Sequence, residues 1–148
     1  MALQDLLNIS AKKKIGLSEE RVRAIVPAAR EYISFWREYP DLFVDFLVRG
    51  TRTEVKDGEL KFYFYQRVFL RAAMRFKVVY VTACRAWSKS FLTILALFLQ
   101  CVFIPGRKVF ICAPNKSQGA QIAKEKLSEI FRYWPLLRKE VIGGEISD

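Results

Sequence analysis

Residues 78–90 read VVYVTACRAWSKS, and the order of residue types in this stretch decides the fold that is expected. Val78, Val79, Val81 and Thr82 form an apolar, β-branched run of the kind that makes a buried strand. A short turn follows, and Lys89-Ser90 then opens a long apolar segment of helical character. Strand, loop, lysine and hydroxyl, helix is the order in which a phosphate-binding loop is built. The N–H groups of the loop and the positive end of the helix converge on an anion. The ammonium reaches the outer phosphates and the hydroxyl ligates Mg²⁺. A strict G-x-x-x-x-G-K-[ST] would have glycine at 83 and 88, and Ala83 and Ser88 stand there instead. Should the backbone at 88 need positive φ, serine costs about 1 kcal/mol that glycine would not.

Downstream, a helix from Lys89 to about Phe103 is expected to stop at Pro105-Gly106, and KVFIC, Lys108 to Cys112, reads as a second buried strand. Ala113 to Lys116 form the exit loop. Ser117 is the expected cap of a helix with apolar positions Ile122, Ala123, Leu127, Ile130 and Phe131, ended by Trp134-Pro135. The tail, with Gly143-Gly144, has turn character. Upstream, KFYFYQRVFLRAAMRFK gives an extended lead-in and a helix from about Gln66 to Met74. Residues 51–61, polar and carrying Asp57-Gly58, read as a linker loop between an N-terminal helical segment or lid, 1–50, and the remainder, 62–148. Within 1–50, Ser18 caps a helix that Pro27 interrupts or kinks. Asp41 caps another, which Gly50 ends. Helix, strand, helix, strand, helix describes an α/β unit: a P-loop NTPase-like parallel sheet flanked by helices, incomplete, behind an N-terminal helical segment. Such a sheet leaves an apolar edge uncovered, so poor solubility or self-association is expected.

Composition bounds the function. A chain of 148 residues, 52% hydrophobic, supports one ordinary domain with a real core. Its net charge of +10 favours polyanions such as nucleic acid or nucleotides, beside the plainer reading of a soluble basic surface. The absence of histidine excludes His-ligated zinc and an imidazole base within this chain. Cys84, Cys101 and Cys112 lack C-x-x-C spacing and suggest neither a disulfide framework nor a zinc site; Cys101 and Cys112 read as small core residues. The N-terminus does not look like a signal peptide, and a reducing cytoplasm fits best. The apolar run Phe91 to Ile104 is 14 residues, short of the ~20 that span a bilayer, and reads as a buried helix.

Several motifs in one order carry a family resemblance: Tyr65-Gln66-Arg67, TACRAWSKSF from Thr82, IPGRKVFICAP from Ile104 and SQGAQIAKEKLSEI from Ser117, with YPDLFVDFL from Tyr39 upstream. Over roughly positions 36–137 they resemble the N-terminal portion of the ATPase domain of a tailed-phage terminase large subunit, the DNA-packaging ATPase. The resemblance implies ATP and Mg²⁺ as cofactors. It also implies ATP hydrolysis coupled to translocation of double-stranded DNA into a procapsid, and a nuclease domain for which no sequence is present. The implied partners are double-stranded DNA, the small terminase subunit, the portal protein and further copies in a homo-oligomeric ring, with no membrane. The implied location is the host cell cytoplasm, transiently docked on the viral procapsid.

By chemistry and resemblance together, Lys89 neutralises charge on the β- and γ-phosphates, Ser90 coordinates Mg²⁺, and the N–H groups of Ala86, Trp87, Ser88, Lys89 and Ser90 cradle the phosphates. Arg85 is read either as a γ-phosphate sensor or cis arginine finger, or as a structural partner of a carboxylate. Gln66 resembles the adenine-reading glutamine of helicase-like ATPases, with Tyr65 stacked on the base or packed beneath it. Trp87 packs over the nucleotide or against the fold. Asn115, Lys116 and Gln118 resemble a helicase-type motif that touches the nucleic-acid backbone; the plainer reading is a turn and helix cap. Phe62, Tyr63, Phe64 and Phe69 are expected in the core. Arg67, Arg71, Arg75 and Lys77 are read as one basic helix face, solvated or contacting nucleic acid. No apolar run after the second strand ends in Asp-Glu, so the Mg²⁺-binding acid is absent and this stretch alone is expected to be inactive. Two alternatives stand beside this reading: a fragment of another helicase-like NTPase, and a non-catalytic basic module that binds nucleic acid or a partner.

Overall fold

The computed structural model describes residues 19–50 and 54–141; the expected Ser18 cap and the Gly143-Gly144 turn lie outside them. Among the described residues, five α-helices and a 3₁₀ segment make up the regular structure: α1 (Glu19–Glu38), α2 (Pro40–Arg49), α3 (Phe64–Arg75), α4 (Lys89–Phe103), α5 (Lys116–Tyr133) and the 3₁₀ helix Pro135–Glu140. The chain divides into two compact units, Met1–Phe35 and Trp36–Asp148. The second takes in α2, which the sequence reading grouped with the N-terminal helical segment. In the first, α1 runs through Pro27 without interruption. Pro27 has no N–H to donate there, so the helix loses one rung rather than ending.

The expected parallel sheet is not formed: among the described residues there is no strand, and the fold is all-helical. Residues 77–84 and 108–113 are irregular and contribute no backbone hydrogen bond of ladder type. Strand preference in β-branched residues reflects packing against cross-strand and same-face neighbours, and among the described residues these segments have no strand beside them. Val78 is 86% exposed, Tyr80 92% and Phe110 84%, whereas a parallel strand is covered on both faces. Cys101 and Cys112, expected in the core, are exposed along with Cys84.

The core of the second unit is built on α4. Its apolar residues recur around most of the helix, and Phe91, Leu92, Ile94, Leu95, Ala96, Leu99 and Phe103 are all buried. It packs between α3 and α5. Leu70 of α3, Ile130 of α5, Leu137 of the 3₁₀ helix and Val44 of α2 close the cluster. The end of α4 is met by one distant side chain: the Arg37 guanidinium donates to the Phe103 carbonyl, a favourable placement for a cation at a helix C-terminus. Gln100 Nε2 donates to the Ala73 carbonyl in the last turn of α3, 2.8 Å away. Gly50, at φ 59°, ends α2, and Ile104 to Gly106, the latter at φ 74°, follow α4.

Asp41 does not cap α2. Tyr39 is the residue before its first turn and Pro40 sets the start, while the Asp41 carboxylate is completely buried. It accepts from Arg71 Nε at 2.8 Å and from Arg67 at 2.9 Å, and Arg67 also donates to Asp45 at 2.7 Å. Arg75 pairs with Glu38. The arginine face of α3 is therefore an ion-pair seam rather than a free basic surface. Four residues separate Arg67 from Arg71 on one side of a helix, and α2 places carboxylates opposite. Burial pushes the Asp41 carboxyl up, but the hydrogen bonds from Arg71 and then Arg67, with their charges, hold it below the ordinary aspartate range.

Candidate phosphate-binding cleft

The loop between residue 83 and α4 has an unusual backbone for its sequence. Ala86 adopts φ 62° and Ser88 adopts φ 65°, ψ 28°, so two non-glycine residues are left-handed within three positions. Alternation of this kind turns successive N–H groups toward a common concavity. Ser88 precedes the first helical residue, and its carbonyl accepts the Leu92 N–H at 3.0 Å. No backbone acceptor among the described residues takes the N–H groups of Ser88 to Phe91. These are the orphan donors of a helix start, and α4 brings the positive end of its dipole to the same place.

Lys89 folds back over its own loop. Its Nζ donates to the Cys84 carbonyl at 2.7 Å and the Ala83 carbonyl at 3.1 Å. Two of the three ammonium donors are thus used to hold the loop closed and one remains. Ser90 follows on the first turn, exposed and lining the same cleft.

That cleft has a volume of about 450 Å³ and is formed by three walls. Ala86, Trp87, Ser88, Lys89 and Ser90 make one, Leu60, Phe62 and Gln66 the second, and Lys126, Glu129 and Tyr133 of α5 the third. Six of the eight residues read from the sequence as nucleotide-binding line it together. Gln66 is buried, and its Oε1 accepts the Tyr63 N–H at 2.9 Å, so the acceptor caps α3 while the amide NH₂ remains a donor. Tyr65 stands outside the lining and stacks on Trp87 with ring centroids 5.1 Å apart. Trp87 meets Phe69 edge-on at 5.9 Å. It therefore packs against α3 while forming part of the cleft wall. Tyr63 and Phe64, expected in the core, are exposed, Phe69 is half-buried against it, and Phe62 is buried, stacked on Trp134.

Arg85 is exposed, lies outside the lining and makes no ion pair among the described residues. Asn115 is the N-cap of α5, its Oδ1 accepting the Ser117 N–H at 3.2 Å, so the cap is Asn115 rather than Ser117. Lys116 is the first residue of α5, and Gln118 is exposed two residues on. Neither Asn115 nor Gln118 lines the cleft. Glu129 and Lys126 lie in the stretch SQGAQIAKEKLSEI but were not read as site residues; with Tyr133 they share a stripe at three- and four-residue spacing.

The donor set suits a triphosphate: four orphan N–H groups, an ammonium and a hydroxyl at one helix start, with no carboxylate on the loop itself. Magnesium fits less completely. Ser90 supplies one oxygen and Glu129 is the one carboxylate in the lining, and no cluster of three His, Cys, Asp or Glu occurs among the described residues. Mg²⁺ bound through one carboxylate, waters and substrate phosphates needs no such cluster. No protein-family model, curated protein or solved structure matches the chain.

Proposed function

We propose that this chain is the nucleotide-binding part of a viral DNA-packaging motor of the terminase large-subunit kind, taking the triphosphate tail of ATP at the N-terminus of α4. One observation carries the reading: residues 86–90, with two left-handed positions and unpaired N–H groups, share a cleft with Lys89, Ser90 and Gln66. The loop backbone holds phosphate oxygens, and Lys89 exchanges a carbonyl for a phosphate. The Gln66 amide donates to the base, and Ser90 is the magnesium oxygen. When bound, Mg²⁺ neutralises phosphate charge. Arg85, exposed beside the loop, is kept as a γ-phosphate contact. Coupling to double-stranded DNA, the small subunit, the portal and a ring of copies rests on the ordered motifs, as does action in the host cytoplasm on a procapsid.

The net charge of +10 favours a second reading, a non-catalytic basic module for nucleic acid. It is weakened because Arg67, Arg71 and Arg75 are committed to carboxylates. Titration with ATP and with duplex DNA separates the two. On the nucleotide reading, wild type binds ATP and Lys89→Ala loses most of that affinity while DNA binding persists. A wild-type protein that never binds ATP yet binds DNA with a steep salt slope establishes the basic-module reading instead.

A further inference from the structure

Lys126 and Glu129 of the third wall lie in the stretch SQGAQIAKEKLSEI, but the sequence reading gives them no contact with the nucleotide. Lys126, Glu129 and Tyr133 lie on one stripe of α5, and Ile130 beside them is buried in the core, so the stripe is held facing the loop rather than free to rotate. Phe91, two residues beyond Lys89, meets Tyr133 edge-on at 6.2 Å and ties that stripe to the first turn of α4. Lys126 Nζ donates to Glu129 Oε2 at 2.8 Å, and the two side chains are 33% and 31% exposed. A helical pair of this spacing on an open surface contributes only about 0.3–0.5 kcal/mol. It is weak enough to be exchanged for a better partner. Across the same cleft are the Lys89 ammonium, the Ser90 hydroxyl and the orphan N–H groups.

We propose that α5 completes the nucleotide site: Lys126 leaves Glu129 to bind a phosphate oxygen, and the freed Glu129 carboxylate joins Ser90 around the magnesium ion. The inference rests on the nucleotide reading of the cleft. It supplies from a helix the carboxylate that the segment after residues 108–112 lacks. The charges then dictate opposite responses to the metal. For ATP without magnesium, Glu129 is a like charge facing the phosphates and weakens binding, whereas Lys126 strengthens it. With magnesium, Glu129 becomes attractive.

The test is calorimetric titration of ATP into the full chain, in EDTA and in excess Mg²⁺, for wild type, Lys89→Ala, Lys126→Ala and Glu129→Gln. Circular dichroism melts serve as the folding control. Wild type is expected to bind more tightly with Mg²⁺. Lys126→Ala weakens binding about tenfold in both conditions, the loss of one charge-assisted contact. Glu129→Gln binds metal-free ATP at least as tightly as wild type and loses most of the gain from Mg²⁺. If wild type and Lys89→Ala behave as the nucleotide reading demands while Lys126→Ala and Glu129→Gln match wild type in both conditions, the pair merely decorates α5 and this inference alone fails. Absence of ATP binding by wild type overturns the reading and the inference together.

Discussion

Ser88 holds a left-handed backbone that its side chain disfavours by about 1–2 kcal/mol, and the loop keeps that conformation because Lys89 clamps the carbonyls of residues 83 and 84. Glycine relieves the clash but has more freedom to lose on folding. Ser88→Gly is therefore expected to leave stability unchanged or raise it by up to about 1 kcal/mol. Ser88→Val, β-branched at the same φ, is expected to lower it by more than 1 kcal/mol. Urea unfolding of the three proteins gives the order directly, and a valine variant as stable as the glycine one contradicts the strain. This position was legible in the sequence because the constraint is local: a residue just before a lysine-hydroxyl helix start needs an N–H turned inward, whatever surrounds it.

At the scale of elements, Asp41 is the joint between α2 and α3. Its carboxyl titrates below the ordinary range in the folded protein, so the stability it contributes is full above the pKa of an unfolded aspartate and is lost as pH falls through the depressed folded value. Asp41→Asn is expected to cost about 3 kcal/mol at neutral pH, since two guanidiniums lose their buried partner. The gap to wild type then narrows in acid, which denaturant midpoints at pH 7 and pH 3 would reveal. A constant gap between those pH values rules the joint out as the source. The helix spans of α3 and α4 were readable from periodicity and from glycine and proline punctuation, which are local signals. That Arg67 and Arg71 meet Asp41 was not, because the partners lie 26 and 30 positions away and a basic stripe looks the same whether it faces water or acids. The Lys126 and Glu129 wall was hidden for the same reason.

For the molecule as a whole, the β-branched runs misled. Val78 to Thr82 and Lys108 to Cys112 have strand composition, but pairing is a property of neighbours, and among the described residues neither run has one. What they leave instead is exposed apolar surface at Phe76, Val78, Tyr80, Phe110 and Ile111, with open backbone groups beside it. Sedimentation should show concentration-dependent association. The association should strengthen with salt, because a net charge of +10 repels like copies until it is screened. Val78→Lys combined with Tyr80→Lys is expected to reduce it, and a clean wild-type monomer at high salt counts against it. A last consequence follows from Trp134, whose Nε1 donates to the Val44 carbonyl 90 positions earlier at 3.0 Å. At about 5–20 residues per second on a ribosome, roughly 5–18 s separate the synthesis of acceptor and donor. Through that interval the carbonyl has only its helical partner within α2, and the residues of α4, α5 and the 3₁₀ helix that share the core with Val44 are still being made, a window in which a chaperone would find its binding surface.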